Sequence, residues 1–206
     1  MAGADQLLKP VVPLMREAGF KKRSGHIYTV DLSADVIGWV GLNSAKKSMA
    51  PDEVGVNPVI GVRHQTVERL VAELCRDRFH PYVPPTVSSP IGYLLPECRY
   101  TEWLIRAGEE EPAREMVGAI VRHGTNFMER RRDLGSLLEG LDRRPGLQFG
   151  DRQDYSRPVA WLLAGDAHRA REDIERSLVG LEPRSDPAAV RFRSFGAAFL
   201  RKLGDS

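Results

Sequence analysis

The stretch from Gly19 to Lys47, GFKKRSGHIYTVDLSADVIGWVGLNSAKK, decides the fold. Gly19 ends a first helix, because glycine tolerates the positive φ of a helix C-terminal cap. Lys21, Lys22 and Arg23 follow as a cationic run, where the helix dipole favours positive charge. His26 to Asp31 is rich in β-branched and aromatic residues and predicts a strand. Ser33-Ala34-Asp35 makes a polar turn, and Val36 to Asn43 is a second strand. Ile37 and Trp39 lie on one face of it, Val36, Val40 and Leu42 on the other. Both faces are apolar, which is the pattern of a central strand covered on both sides. Gly38 and Gly41 predict a bulge or a close approach by another backbone.

Working outward, Leu7, Leu8, Val11, Val12, Leu14 and Met15 have helical spacing. Pro10 and Pro13 are compatible with a helix over about 10–18, because the first N–H groups of a helix have no internal partner. Lys46 to Glu53 reads as a polar loop, and Val54 to Arg63 as a third strand. Asn57-Pro58 predicts that this strand is interrupted or lies at an edge. Gln65 to Arg78 carries the stripe Val67, Leu70, Val71, Leu74 and Cys75 and predicts a helix, with Thr66 as N-cap. Phe79 to Pro90 is proline-rich and predicts a loop. Ile91 to Leu95 and Tyr100 to Ile105 read as a hairpin turning at Pro96-Glu97-Cys98.

The remainder is helical. Met116, Val117, Ile120, Val121, Phe127 and Met128 form one stripe, on which Gly124 marks close packing. Asp133, Asp166 and Asp186 stand where N-caps are needed, and Ser156 with Pro158 opens a helix. The pair AWLLAGDAHRAREDIERSL resembles one tetratricopeptide-like hairpin, but no second copy follows at a fixed period, so a solenoid is not expected. The expected class is α+β: an antiparallel sheet of four to five strands packed by helices, with a helical C-terminal part. Residues 1–108 form the sheet domain and residues 109–206 the helical part packed on it.

Hydrophobic content of 42% supports a core, and 28% charged residues with net charge +2 is ordinary for a globular chain of 206 residues. Charge is not segregated: residues 1–107 hold 13 Lys/Arg and 11 Asp/Glu, residues 108–206 hold 17 and 17. That balance argues against a nucleic-acid module. Two cysteines, neither in a CxxC pair, make no disulfide scaffold. Cys75 lies on an apolar stripe and is expected to be buried and inert, Cys98 to be more reactive. No signal peptide and no membrane-length apolar run is visible, so the cytoplasm is the expected compartment. The Arg-, Ala- and Gly-rich composition points to a bacterial source.

A helix ending in Gly19-Phe20-Lys21-Lys22, an aromatic strand with Tyr28, a two-sided apolar strand, then Asn43-Ser44 and Lys46, resembles the start of the bacterial family called domain of unknown function 4304. The resemblance covers roughly the first half of the chain. It implies an α+β domain without an established activity, and it supplies no catalytic residues to carry over.

Chemistry-bearing motifs are sparse. HExxH, GxSxG, GxGxxG and GxxxxGK[ST] are all missing, and no His/Cys/Asp cluster has metal-ligand spacing. No metal or cofactor is expected. His64 stands between a strand and a helix, a position where functional side chains often sit. Trp39, Trp103 and Trp161 read as core. The expected role is a non-enzymatic binding or protein-interaction domain. Its docking point would be formed by Lys21, Lys22 and Arg23 with Lys46 and Lys47 at one sheet end, facing an acidic protein or small anion. Two alternatives stand beside it. One is a hydrolase or transferase assembled from distant residues around His64 and Tyr100. The other is a nucleic-acid-associated factor using the same basic residues.

Overall fold

The computed structural model describes residues 4–45, 50, 52–142, 152–179, 181 and 184–204. Two short helices, α1 (Ala4–Leu7) and α2 (Val11–Glu17), open the chain. Pro10 is the N-cap of α2 and Pro13 falls in its first turn, where a missing N–H costs nothing. Gly19, at φ +87°, supplies the left-handed exit.

Six strands follow, all paired antiparallel: β1 (Lys21–Lys22), β2 (Ile27–Asp31), β3 (Val36–Ala45), β4 (Glu53–His64), β5 (Val87–Pro90) and β6 (Trp103–Arg106). The α+β class is as expected, and β1 and β5 are strands the sequence did not reveal. Helix α3 (Gln65–Cys75) separates β4 from β5. After β6 come α4 (Glu111–Ala119), a π-type turn at Ile120–Gly124, α5 (Thr125–Glu129), α6 (Leu134–Asp142), α7 (Arg152–Leu163), α8 (Ala167–Val179) and α9 (Pro187–Gly204).

Three expectations about the sheet need correction. The third strand is neither interrupted nor at an edge: β4 is continuous and central, between β3 on one side and both β5 and β6 on the other. The register explains why Pro58 does no harm. Leu42 pairs with Pro58, and the Leu42 N–H donates to His26 on the β2 side. The Leu42–Pro58 pair is therefore of the non-hydrogen-bonded kind, and the missing N–H of Pro58 points away from β3. On that far side it meets the gap between β6, which pairs with Glu53 to Val56, and β5, which pairs with Val59 to Val62. Second, the loop over 79–90 ends in β5. Third, the segments around Pro96 do not form a hairpin with each other. Ile91–Tyr93 is a 3₁₀ turn, and β5 and β6 pair end to end along one long strand.

The alternation along β4 separates two faces. Val54, Val56, Ile60 and Val62 join Val36, Val40 and Leu42 of β3 and Tyr28 of β2 in the main core. Helices α2 and α4 to α6 cover this face with Met15, Met116, Ile120, Met128 and Leu137, all fully buried. Contact is close enough to require glycine. A Cβ on Gly38 would lie 2.5 Å from Met128 Sδ, and one on Gly124 3.2 Å from Ile60 Cδ1. Both ladder registers of β3 run unbroken, so its glycines mark close side-chain approach rather than a bulge.

Helices α7 and α9 pack on α3, and α8 packs on α7 and α9. Asp166 and Asp186 cap α8 and α9, accepting N–H groups at 3.0 and 3.1 Å, and Asp133 caps α6 at 2.9 Å. Pro158 lies inside α7 rather than opening it, because the helix already starts at Arg152. Tyr155, Phe192, Phe195 and Phe199 form an aromatic cluster with neighbouring ring centroids 4.7–5.9 Å apart. Among the described residues no helix is long and apolar enough to cross a membrane.

Candidate functional site: the second face of the sheet

The face opposite the main core carries Thr29 of β2, Ile37, Trp39, Gly41 and Asn43 of β3, and Asn57, Val59, Gly61 and Arg63 of β4. It has two halves. Loop 79–86 closes one of them. Arg63, 1% exposed, reaches up from β4 and donates to the backbone carbonyls of His80 and Pro84. Its other donors meet Glu68 of α3 at 3.3 Å and Gln65 at 3.3 Å. Glu68 is itself fully buried and accepts the Ser156 hydroxyl of α7 at 3.3 Å. One guanidinium thus ties sheet, loop, α3 and α7 together. Loop contact is tight at Gly61, where a Cβ would lie 2.7 Å from Pro85 Cβ. Trp39 and Ile37 are buried under this cover and belong to this face, not to the main core. The Trp39 indole lies over Gly41, and its N–H has no acceptor among the described residues.

The other half is open. A groove of about 300 Å³ is floored by Asn43, Asn57, Val59 and Pro90 and walled by Tyr93, Tyr100 and Glu102 from the segment between β5 and β6. Asn43 and Asn57 are direct cross-strand partners. Asn57 spends one N–H on the Thr101 carbonyl at 2.6 Å, which fixes the wall to the floor and leaves its carbonyl oxygen for a ligand. Tyr100 is 62% exposed, and its hydroxyl donates to Glu102 at 3.4 Å. Partial desolvation and the Glu102 carboxylate push the Tyr100 phenol up, so it remains a neutral donor and acceptor. Among the described residues the lining holds one carboxylate and no cation.

The residues expected to form the site are distributed differently. Lys21 and Lys22 form β1 rather than a run at a helix end, opposite Thr29 and Tyr28 of β2. Lys21 pairs with Asp31 at 2.7 Å, both exposed. Arg23 donates to Thr29 Oγ1 at 2.9 Å and stacks over the Tyr82 ring at 4.2 Å, so it holds down the loop cover. Lys22 is the exposed cation of the three without a partner among the described residues. Lys46 and Lys47 lie outside the described residues.

His64 ends β4 and is 3% exposed. Its backbone N–H donates to Thr86 Oγ1 at 3.0 Å, and its Nε2–H donates to the Arg131 carbonyl at 2.8 Å. Burial holds its pKa below the ordinary histidine value, while the Arg131 bond and the carboxylates of Asp35, Asp133 and Glu68 partly offset that. The ring is therefore neutral and anchors the π-turn and α5 segment to the sheet end. Tyr100, beside Asn57 and Thr101, is about seven strand residues away, or ~23 Å. His64 and Tyr100 form no common site. Among the described residues no group of three His, Cys, Asp or Glu side chains could hold a metal ion.

The groove was missed in the sequence because no motif carries it. Asn43 and Ser44 are legible only as a strand end, Asn57 only as half of a strand-breaking pair, and the wall comes from a segment read as a hairpin. Comparisons with protein-family models, curated proteins and solved structures find nothing that matches this chain.

Proposed function

We propose that the chain is a non-enzymatic binding protein whose ligand lies in the open half of the second sheet face. The composition of the groove carries this reading. It offers two carboxamides, two tyrosines and one carboxylate, on a floor pinned by a central strand. Carboxamides and a carboxylate present paired acceptors and donors suited to adjacent hydroxyl groups. An exposed tyrosine ring offers an apolar face at low entropic cost, as it does in other recognition surfaces. Among the described residues the groove carries one negative charge and no positive one, which favours neutral, hydroxyl-rich ligands over anions. The ligand class that fits is a mono- or disaccharide. Among the described lining residues the one hydroxyl with a carboxylate beside it is that of Tyr100, whose phenol is held up and neutral.

Ligand-observed NMR against a panel of neutral sugars, anionic sugars and inositol tests it. At least one neutral sugar is expected to bind, and Tyr100→Ala should weaken that binding about tenfold or more. Absence of binding across the panel, or equal binding by the variant, would refute the assignment.

A further inference from the structure

A second cavity, of about 480 Å³, lies between the C-terminal end of α3 and α9, away from the sheet face. Its floor is apolar, from Leu74, Phe195 and Ala198, and its rim holds Arg76, Arg191 and Arg201. The three arginines come from two distant segments and converge because α9 packs across α3. Their charge is only partly spent. Arg191 pairs with Asp77, and the neighbouring Lys202 meets Glu73 at 3.4 Å. Arg76 and Arg201, both exposed, have no acidic partner among the described residues. Arg76 is held in the left-handed conformation at φ 56° as the C-cap of α3, which fixes where its side chain leaves the backbone.

From this geometry we infer a binding site for a small amphipathic anion, namely an aliphatic carboxylate of medium chain length. The volume falls within the usual range for small-molecule sites, about 300–1,000 Å³. A guanidinium presents a planar fork that matches a carboxylate in two parallel hydrogen bonds. The apolar floor removes a short alkyl chain from water, which a purely polar anion such as phosphate would not exploit. A neutral alkyl ligand would leave Arg76 and Arg201 unmatched. The anion partner expected from the basic run at Lys21 to Arg23 thus has a better-formed site here. This inference is independent of the sheet-face groove.

Cys75 lines the same cavity and is half-buried, so its labelling reports occupancy. The experiment uses the full chain with Cys98→Ser, and decanoate, decanol and acetate below micellar concentrations. Decanoate should bind in calorimetry and slow iodoacetamide labelling of Cys75. Decanol should bind about tenfold more weakly, and acetate should give no protection. Arg201→Gln, at an exposed position, should weaken decanoate about three- to tenfold with the circular dichroism unchanged. Ala198→Leu, which fills the floor, should abolish protection while leaving the arginines in place. Failure of decanoate to bind, equal affinity for decanol, or full protection in both variants would overturn the site.

Discussion

The two halves of the second sheet face are made from the same strands and have opposite fates. On β4, Gly61 and Arg63 sit under loop 79–86, while Asn57 and Val59 floor an open groove. The difference lies in what the side chains can hold. Arg63 carries enough donors to bind two loop carbonyls and a buried carboxylate at once, and Gly61 lets the loop approach. Among the described residues Asn57 reaches only the Thr101 carbonyl, which pins the wall beside the floor and not over it. A sheet face is closed where a long, multivalent side chain can bridge to a loop, and stays available where short amides line it.

The largest effects should fall on the closed half. Arg63→Ala takes the guanidinium away from the buried Glu68 and from two loop carbonyls and should cost about 3–5 kcal/mol. Trp39→Ala, which empties the space over Gly41, should cost a similar amount, about 3–5 kcal/mol. Both are read by denaturant unfolding, and a loss under about 1 kcal/mol for either would mean that loop 79–86 does not cover the face. Gly61→Ala pushes a methyl against Pro85 and should cost about 1–3 kcal/mol. On the open half, Asn43→Ala should stay within about 0.5 kcal/mol of the wild type, since that side chain is exposed.

The closed end should also respond to pH. His64 is held below its ordinary pKa by burial, so the unfolded chain takes up its proton first as pH falls. Stability should therefore decline from about pH 6.5 downward, where an unperturbed histidine titrates, and His64→Gln should flatten that slope. Asp133 and Asp186, which capping hydrogen bonds and, for Asp186, Arg184 hold below the usual carboxylate value, contribute stability that is lost only at more acid pH, near 4 and below. The two windows separate, so unfolding curves at pH 7, 6 and 5 isolate the histidine.

Much of the fold was legible because it rests on local rules. Gly19, Asp133, Asp166 and Asp186 mark element ends by backbone conformation and capping, and the stripe on α3 is plain. The position of β4 was not legible. Asn57-Pro58 reads locally as a break, and only the gap between β5 and β6 removes the cost of the missing N–H. Pairing of β5 and β6 with one strand is a long-range choice that no hairpin signal announces. Cys75 shows the same limit. Its place on an apolar stripe predicts burial, but α9 leaves a cavity beside it, and it is half-buried. The groove and the arginine rim are assembled from segments far apart in the chain, so spacing could not reveal either.

We propose that the open half of the face receives a ligand and the closed half does not. Backbone amide shift mapping on the ¹⁵N-labelled chain, titrated with the best-binding neutral sugar, tests this most directly. Perturbations are predicted at Asn43, Asn57, Val59, Tyr93, Tyr100 and Glu102, with the amides of His80, Tyr82 and Thr86 unmoved. Shifts concentrated on residues 79–86, or scattered with no focus on the groove, would contradict it.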